Sequence, residues 1–218
     1  ICSEVYLQQS TNEPITPGNL TVRIGTRNGT KPGVTVAGLD SGTIYVQRSG
    51  KSLNEMSFTD SELAYTTANI SLLSSHLLNV PVDMAIRRST STEETDRLFV
   101  VNSGDGSISV YSILRSQNVI APSKFTTTGN FLSVGIDVDT TYVIVKRTIN
   151  SSDKYFVEVF DNTLHTDSAV YVTGTHSTAT ASHLISTTVD VLNDGNVESQ
   201  QTTNGSGVIT LSRTTVSN

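Results

Sequence analysis

Three residues close in sequence, His165, Asp167 and Ser168, are of the types that make a hydrolytic triad. A triad needs side chains that converge in space beside an oxyanion hole, and neighbours on one extended segment diverge instead, so this group is read as structural. Asp137 and Asp139 could serve a glycosidase only as a pair facing a cleft, and flanking a Thr-rich turn they read as turn formers. The run from Asn102 through Asp105, Gly106 and Ser107 invites a calcium loop but lacks acids at the first and third ligand positions, which leaves a hairpin turn.

His76, His165, His176 and His183 have no metal-ligand spacing, and the single cysteine, Cys2, allows no internal disulfide. No Gly-x-Gly-x-x-Gly or P-loop pattern is present. Arg23, Arg27, Lys31, Arg87 and Arg88 are separated in sequence and read as solvated charges. The residues thus point to no enzyme, no catalytic residue, no metal and no cofactor. The glycosylation acceptors at Asn19, Asn28, Asn69, Asn150 and Asn204 follow from the abundance of Ser and Thr.

These residues would have to be positioned by β-structure. From Phe131 to Val138 the apolar side chains Leu132, Val134, Ile136 and Val138 alternate with Ser133, Gly135 and Asp137, the period of a half-buried strand. That places Leu132, Val134, Ile136 and Val138 toward a core. A turn is expected at Asp139 to Thr141, a strand from Tyr142 to Ile149, a second turn over Asn150 to Lys154, and a strand from Tyr155 to Phe160. Counting back from that turn sets Ile149 opposite Tyr155, Lys146 opposite Glu158 and Val145 opposite Val159.

Further strands are expected at Glu4 to Gln8, Leu20 to Ile24, Gly33 to Ala37, Thr43 to Arg48 and Lys51 to Phe58, with a breaker-rich loop from Thr11 to Gly18. Leu98 to Asn102 and Ser107 to Leu114 form a hairpin about Asp105-Gly106. Residues 60 to 80 hold the one helical candidate, with Ser71 as N-cap and Leu73 and Leu77 on one face before Pro81. Ser, Thr and Ala dominate from His165 to Ser182, and strands at Val189 to Leu192, Val197 to Gln201 and Val208 to Leu211 follow.

The 218 residues suffice for one large or two small domains, and 16% charged residues is below the usual share of about 25%. A net charge of -6 disfavours an electrostatic grip on nucleic acid or an anionic membrane. No apolar run approaches the roughly 20 residues of a spanning helix. The missing initial Met and a first segment that already reads as a strand suggest a piece of a longer chain.

Several separated motifs, in order, carry a resemblance to one protein family. They begin with Ile15-Thr16-Pro17-Gly18-Asn19-Leu20-Thr21-Val22-Arg23 and Ile44-Tyr45-Val46-Gln47-Arg48-Ser49-Gly50-Lys51. Ser71-Leu72-Leu73-Ser74-Ser75-His76-Leu77-Leu78 is similar to the family's short helix, and Met84-Ala85-Ile86-Arg87-Arg88 to the strand after it. Thr128-Gly129-Asn130-Phe131-Leu132-Ser133-Val134 and Asp167-Ser168-Ala169-Val170 continue the run. His183-Leu184-Ile185, the segment Val189 to Val197 and Ile209-Thr210-Leu211 are similar to an inserted β-module, after which the family returns on a Gly-Leu-Pro strand.

Together these motifs resemble the tail hub or nozzle proteins of short-tailed bacteriophages, also described as tail-tube or DNA-stabilisation proteins. The resemblance implies an all-β protein, with a propeller-like antiparallel body over 1 to 164, one short helix, and a small inserted β-module over 165 to 218. It also implies a virion protein assembled in the bacterial cytoplasm as a sixfold homo-oligomeric ring. That ring would contact the portal or adaptor and other tail proteins, extend the DNA channel, retain packaged DNA without tight binding and serve genome ejection. A carbohydrate-binding or glycosidase-type β-propeller acting as a receptor adhesin is the alternative, weakened by the absence of Trp; a bacterial surface β-sandwich adhesin is a third reading.

Overall fold

The computed structural model describes residues 3–8, 14, 16–40, 42–91, 94–161, 163–164 and 166–216. The chain is all-β. It divides into two compact units, one formed by Ile1–Val145 with Val157–Phe160 and one by Lys146–Phe156 with Asp161–Asn218.

In the first unit β1 (Glu4–Gln8) and β2 (Thr21–Thr26) form an antiparallel ribbon. Next come β3 (Ala37–Leu39), β4 (Gly42–Val46), β5 (Leu53–Thr59) and β6 (Ala64–Asn69), each paired with its neighbour in an antiparallel meander. A second meander follows the same plan with β7 (Pro81–Arg87), β8 (Asp96–Asn102), β9 (Ile108–Leu114) and β10 (Val119–Phe125). A third sheet has the order β11 (Asn130–Asp137), β12 (Thr140–Ile149), β13 (Ser152–Val159), and the division between the units falls inside its last hairpin.

The second meander is the centre of the first unit because its inner strands, β8 and β9, are buried on both faces. In β8 the run Leu98-Phe99-Val100-Val101 is wholly buried, as expected of a strand covered from two sides. Leu98 and Val100 point to one core with Ile44, Val46, Leu53, Met84, Tyr111 and Ile113. Phe99 and Val101 point to the other with Ile108, Val110, Phe131, Val134, Val143 and Val145. The alternation of β9 sends Tyr111 and Ile113 to the first core and Ile108 and Val110 to the second. On the far side of the first meander the ribbon lays Tyr6 against Tyr65, ring centroids 5.0 Å apart. Among the described residues no sheet closes into a barrel, and the propeller-like arrangement of the body stays a proposal.

Several expectations give way to local geometry. The helix expected over residues 60 to 80 is absent: Ala64–Asn69 is strand β6, and only Ser75–Leu77 forms a 3₁₀ turn. Ser71 is no N-cap; its hydroxyl oxygen accepts the Leu53 N–H at 2.8 Å, and its own N–H donates to Asn69 Oδ1 at 2.9 Å. The segment is held as a turn by these bonds, so Leu73 projects into solvent at 93% exposure while Leu78 enters the first core. The expected strand at 33 to 37 begins only at Ala37; in the Ser-, Thr- and Ala-rich stretch, which suits a linker or solvent-facing strands, Thr178–Thr180 is strand β14.

In β11 the buried positions are Phe131 and Val134, with Leu132 turned outward. The Asp83 carboxylate accepts bonds from the Ser133 hydroxyl and the Val134 N–H, the latter at 3.0 Å, and interrupts the simple alternation. Val138 leaves the core altogether: it sits in the two-residue turn Val138–Asp139 with φ 55°.

The second unit contains the tip of the β12–β13 hairpin, and there the register differs from the expected one. The turn consists of Asn150 and Ser151 alone, with φ of 49° and 60°, the paired left-handed geometry of a type I′ hairpin. Ile149 therefore lies opposite Ser152, Thr148 donates to Asp153 at 2.9 Å, and Lys146 pairs with Asp153 at 2.7 Å; the pairings of Lys146 with Glu158 and Val145 with Val159 are displaced. The polar run Ser152-Asp153-Lys154 reads as loop in sequence, but its exposure is that of strand residues facing solvent. Replacing Ser151 with Gly should raise stability by about 0.5–1 kcal/mol, since Asn-Gly is the preferred type I′ pair and Ser bears a Cβ penalty at positive φ. Urea unfolding checks it: a midpoint unchanged or lowered contradicts the turn geometry.

The rest of the second unit holds β15 (Thr188–Asn193) paired with β16 (Asn196–Thr202) about Asp194-Gly195, and β17 (Val208–Thr210) paired with β14.

Candidate functional site

The sequence candidates do not assemble into a catalytic site among the described residues. His165 lies outside the described residues. Asp167 gives both carboxylate oxygens to Arg147, at 2.9 and 2.8 Å, in a bidentate pair. Arg147 is an inward position of β12 with its side chain 4% exposed, so Asp167 neutralises a buried cation. Ser168 presents its carbonyl oxygen to His183 Nε2 at 3.2 Å, and His183 meets Phe156 edge-on. This is an anchoring cluster within the second unit.

Asp137 and Asp139 are exposed on either side of Val138; the Asp139 carboxylate accepts from Thr140, and its carbonyl accepts from Arg87. Asp105 folds over its own turn, accepting the Ser107 N–H at 3.2 Å and the Ser107 hydroxyl at 2.6 Å, and pairs with Lys124 at 2.7 Å. Burial works against its ionisation, but the Lys124 and Ser107 donors outweigh it and hold its carboxyl below the usual range. With an ammonium already on its second oxygen, this turn is a closed hairpin. Among the described residues no group of three His, Cys, Asp or Glu could hold a metal ion.

A cleft of about 300 Å³ in the first unit is lined by Glu55, Ile70, Ile113, Arg115, Asn118, Val119 and Ile120. Arg115 crosses it, bonded to Asp40 at 3.0 Å and to Glu55, so its polar groups satisfy one another.

The basic residues separate into two populations. Arg87 pairs with Glu94, and Arg88 donates to the Gly38 carbonyl at 3.2 Å. Arg27 and Lys31 belong to a loop that runs antiparallel to the end of β4: Arg48 N–H donates to Gly29 O at 2.9 Å, Lys31 N–H to Val46 O at 2.8 Å, and Thr30 bridges Gln47. Arg48 and Lys51, which the sequence reading passed over, thereby join Arg27 and Lys31 at one end of the first meander. The signal was in the sequence: between Thr16 and Asn54 there are five bases and one acid, Asp40, against nine bases and nineteen acids elsewhere.

The chain matches no protein-family model and no curated protein sequence. No helix among the described residues is long and apolar enough to cross a membrane.

Proposed function

We propose that this chain is a structural component of a short-tailed phage tail, part of a ring-forming hub or nozzle that extends the DNA channel below the portal. The observation that carries this reading is the order of the resembling motifs, from Ile15–Arg23 through Thr128–Val134 to Val189–Val197. The propeller-like body, the sixfold ring, the virion location, the contacts with portal or adaptor and other tail proteins, and passage of DNA without tight binding all belong to the proposal.

Two features of the first unit support an assembly role. Its meanders bury one another face to face, yet apolar side chains stay uncovered on the outer surfaces. On the ribbon, Val5 lies opposite Ile24 and Leu7 opposite Val22, all four exposed; on the third sheet, Tyr142, Ile144, Val157 and Val159 are exposed. Contiguous apolar surface of this kind suits contacts with further protein.

The test is electron microscopy and sedimentation of the purified chain with the portal ring of a short-tailed phage. Sixfold rings or portal-bound complexes are expected. A monomer with no affinity for the portal rings at tens of micromolar would count against it. The adhesin alternative has one observation in its favour, the exposed rings of Tyr155 and Tyr171. A glycan array separates the two, since saturable binding to a defined sugar would favour the adhesin.

A further inference from the structure

The four cations at one end of the first meander, Arg27, Lys31, Arg48 and Lys51, have no acidic partner among the described residues. Of the nine bases outside the Thr16–Asn54 stretch, Arg87, Arg115, Lys124, Lys146 and Arg147 are all ion-paired. Within the stretch, among the described residues, none of the five bases makes an ion pair. Arg27, Arg48 and Lys51 are exposed and Lys31 is half-buried. The remaining base, Arg23, stands opposite Tyr6 in the ribbon, four residues before Arg27.

Topology gathers the four. The loop that holds Arg27 and Lys31 pairs with Gln47 and Arg48, and the β4–β5 turn then brings Lys51 back beside it, with Gly50 next to the Lys31 side chain. In an antiparallel meander successive turns alternate ends, so the turns carrying Asp40 and carrying Asp60 and Glu62 lie at the opposite end of the sheet. Among the described acids, Glu4 is buried and accepts from Thr26, and Asp83 accepts from Ser133 and Val134.

We infer that this basic end is a phosphate-contact surface, and that its ligand is the backbone of duplex DNA. Two guanidinium groups and two ammonium groups, carried at the same end of one sheet without an acidic partner among the described residues, are the groups that bind phosphate oxygens. The exposed side chains between them, Asn28, Thr30 and Ser49, are short hydrogen-bonding groups of the kind that also reach phosphates. The exposed bulky apolar side chains that insert into a membrane are not among them. The net charge of -6 keeps such binding weak, because the rest of the chain repels the polyanion. The surface therefore grips lightly and orients rather than clamps. The choice of DNA as the polyanion rests on the tail reading; the unpaired cations do not.

The experiment is anisotropy with a labelled 20-base-pair duplex and the whole chain between 50 and 200 mM salt. About four phosphate contacts predict a slope of log K against log salt of roughly -3.6, a loss of about 150-fold across that range. The combined variant Arg27→Gln, Lys31→Gln, Arg48→Gln, Lys51→Gln should flatten the slope nearly to zero and weaken binding at 50 mM by about 100-fold. Its circular dichroism should match the parent, and the milder pair Arg48→Gln, Lys51→Gln should give a slope near half. A control carrying Arg88→Gln, Arg97→Gln and Lys154→Gln should bind within about twofold of the parent. No binding at 50 mM, a slope unaltered in the fourfold variant, or equal loss in the control overturns the inference. Equal retention on vesicles with 30% phosphatidylserine overturns the assignment to DNA. Ring formation by the fourfold variant separates the two ideas, since rings that no longer bind DNA sustain both, and rings whose DNA binding is unchanged sustain only the tail reading.

Discussion

Replacing Asn102 with Leu is expected to destabilise the first unit by about 3 kcal/mol, although the two side chains have the same number of heavy atoms and the same branching. Asn102 ends β8 with its whole surface buried. Its Oδ1 accepts the Asn79 N–H at 2.9 Å, and its Nδ2 donates to Leu77 O at 3.0 Å, Ser109 Oγ at 2.9 Å and Ser107 Oγ at 3.3 Å. One amide therefore fastens the connection after the 3₁₀ turn to the central hairpin. Leu would keep the branched shape but, being larger, crowd the two serines, and it would leave the Asn79 N–H without its acceptor. A buried unsatisfied group costs about 1–3 kcal/mol. Urea unfolding with an unchanged slope and a lowered midpoint is the expected observation, and a loss below about 1 kcal/mol would mean that water replaces the amide.

Phe99→Ala should cost about 3–5 kcal/mol, the range for emptying a large aromatic site in a packed core. Phe99 is 2% exposed and faces the second core, with its ring centroid 5.8 Å from that of Phe160. Phe131 and Phe125 also meet Phe160, at 6.2 and 5.6 Å, so the aromatic group joins β8, β10, β11 and the end of the third sheet. Leu73→Ala is the contrast. The helical spacing of Leu73 and Leu77 marks Leu73 for a core, yet its exposure in the turn predicts a change within about 0.5 kcal/mol. Thermal unfolding of the two variants side by side decides it; comparable losses would restore the helix.

Alternation and turn chemistry by themselves determined the class and most of the strands. The hairpin about Asp105-Gly106 and the strands from Leu98 to Asn102 and from Val189 to Leu192 were legible because period-two patterning and Asp-Gly turns are local properties of the chain. The charge asymmetry that marks the basic end lay in the sequence too, as a long stretch with a single acid.

Tertiary structure alone decided where that asymmetry acts, because Arg27 and Arg48 become neighbours only when the loop pairs with the end of β4. It decided against the helix at Ser71, since the hydroxyl that would cap a helix is taken by the Leu53 N–H eighteen residues away. It set the hairpin register at Asn150–Ser151, where either a short or a long turn suits the same polar residues and the packing of the inward positions Val145, Arg147 and Ile149 decides between them. It turned Phe131 inward in place of Leu132, because Asp83 from another strand claims Ser133 and Val134. Short-range patterns specify which segments extend; long-range hydrogen bonds and burial specify the partner, the register and the face.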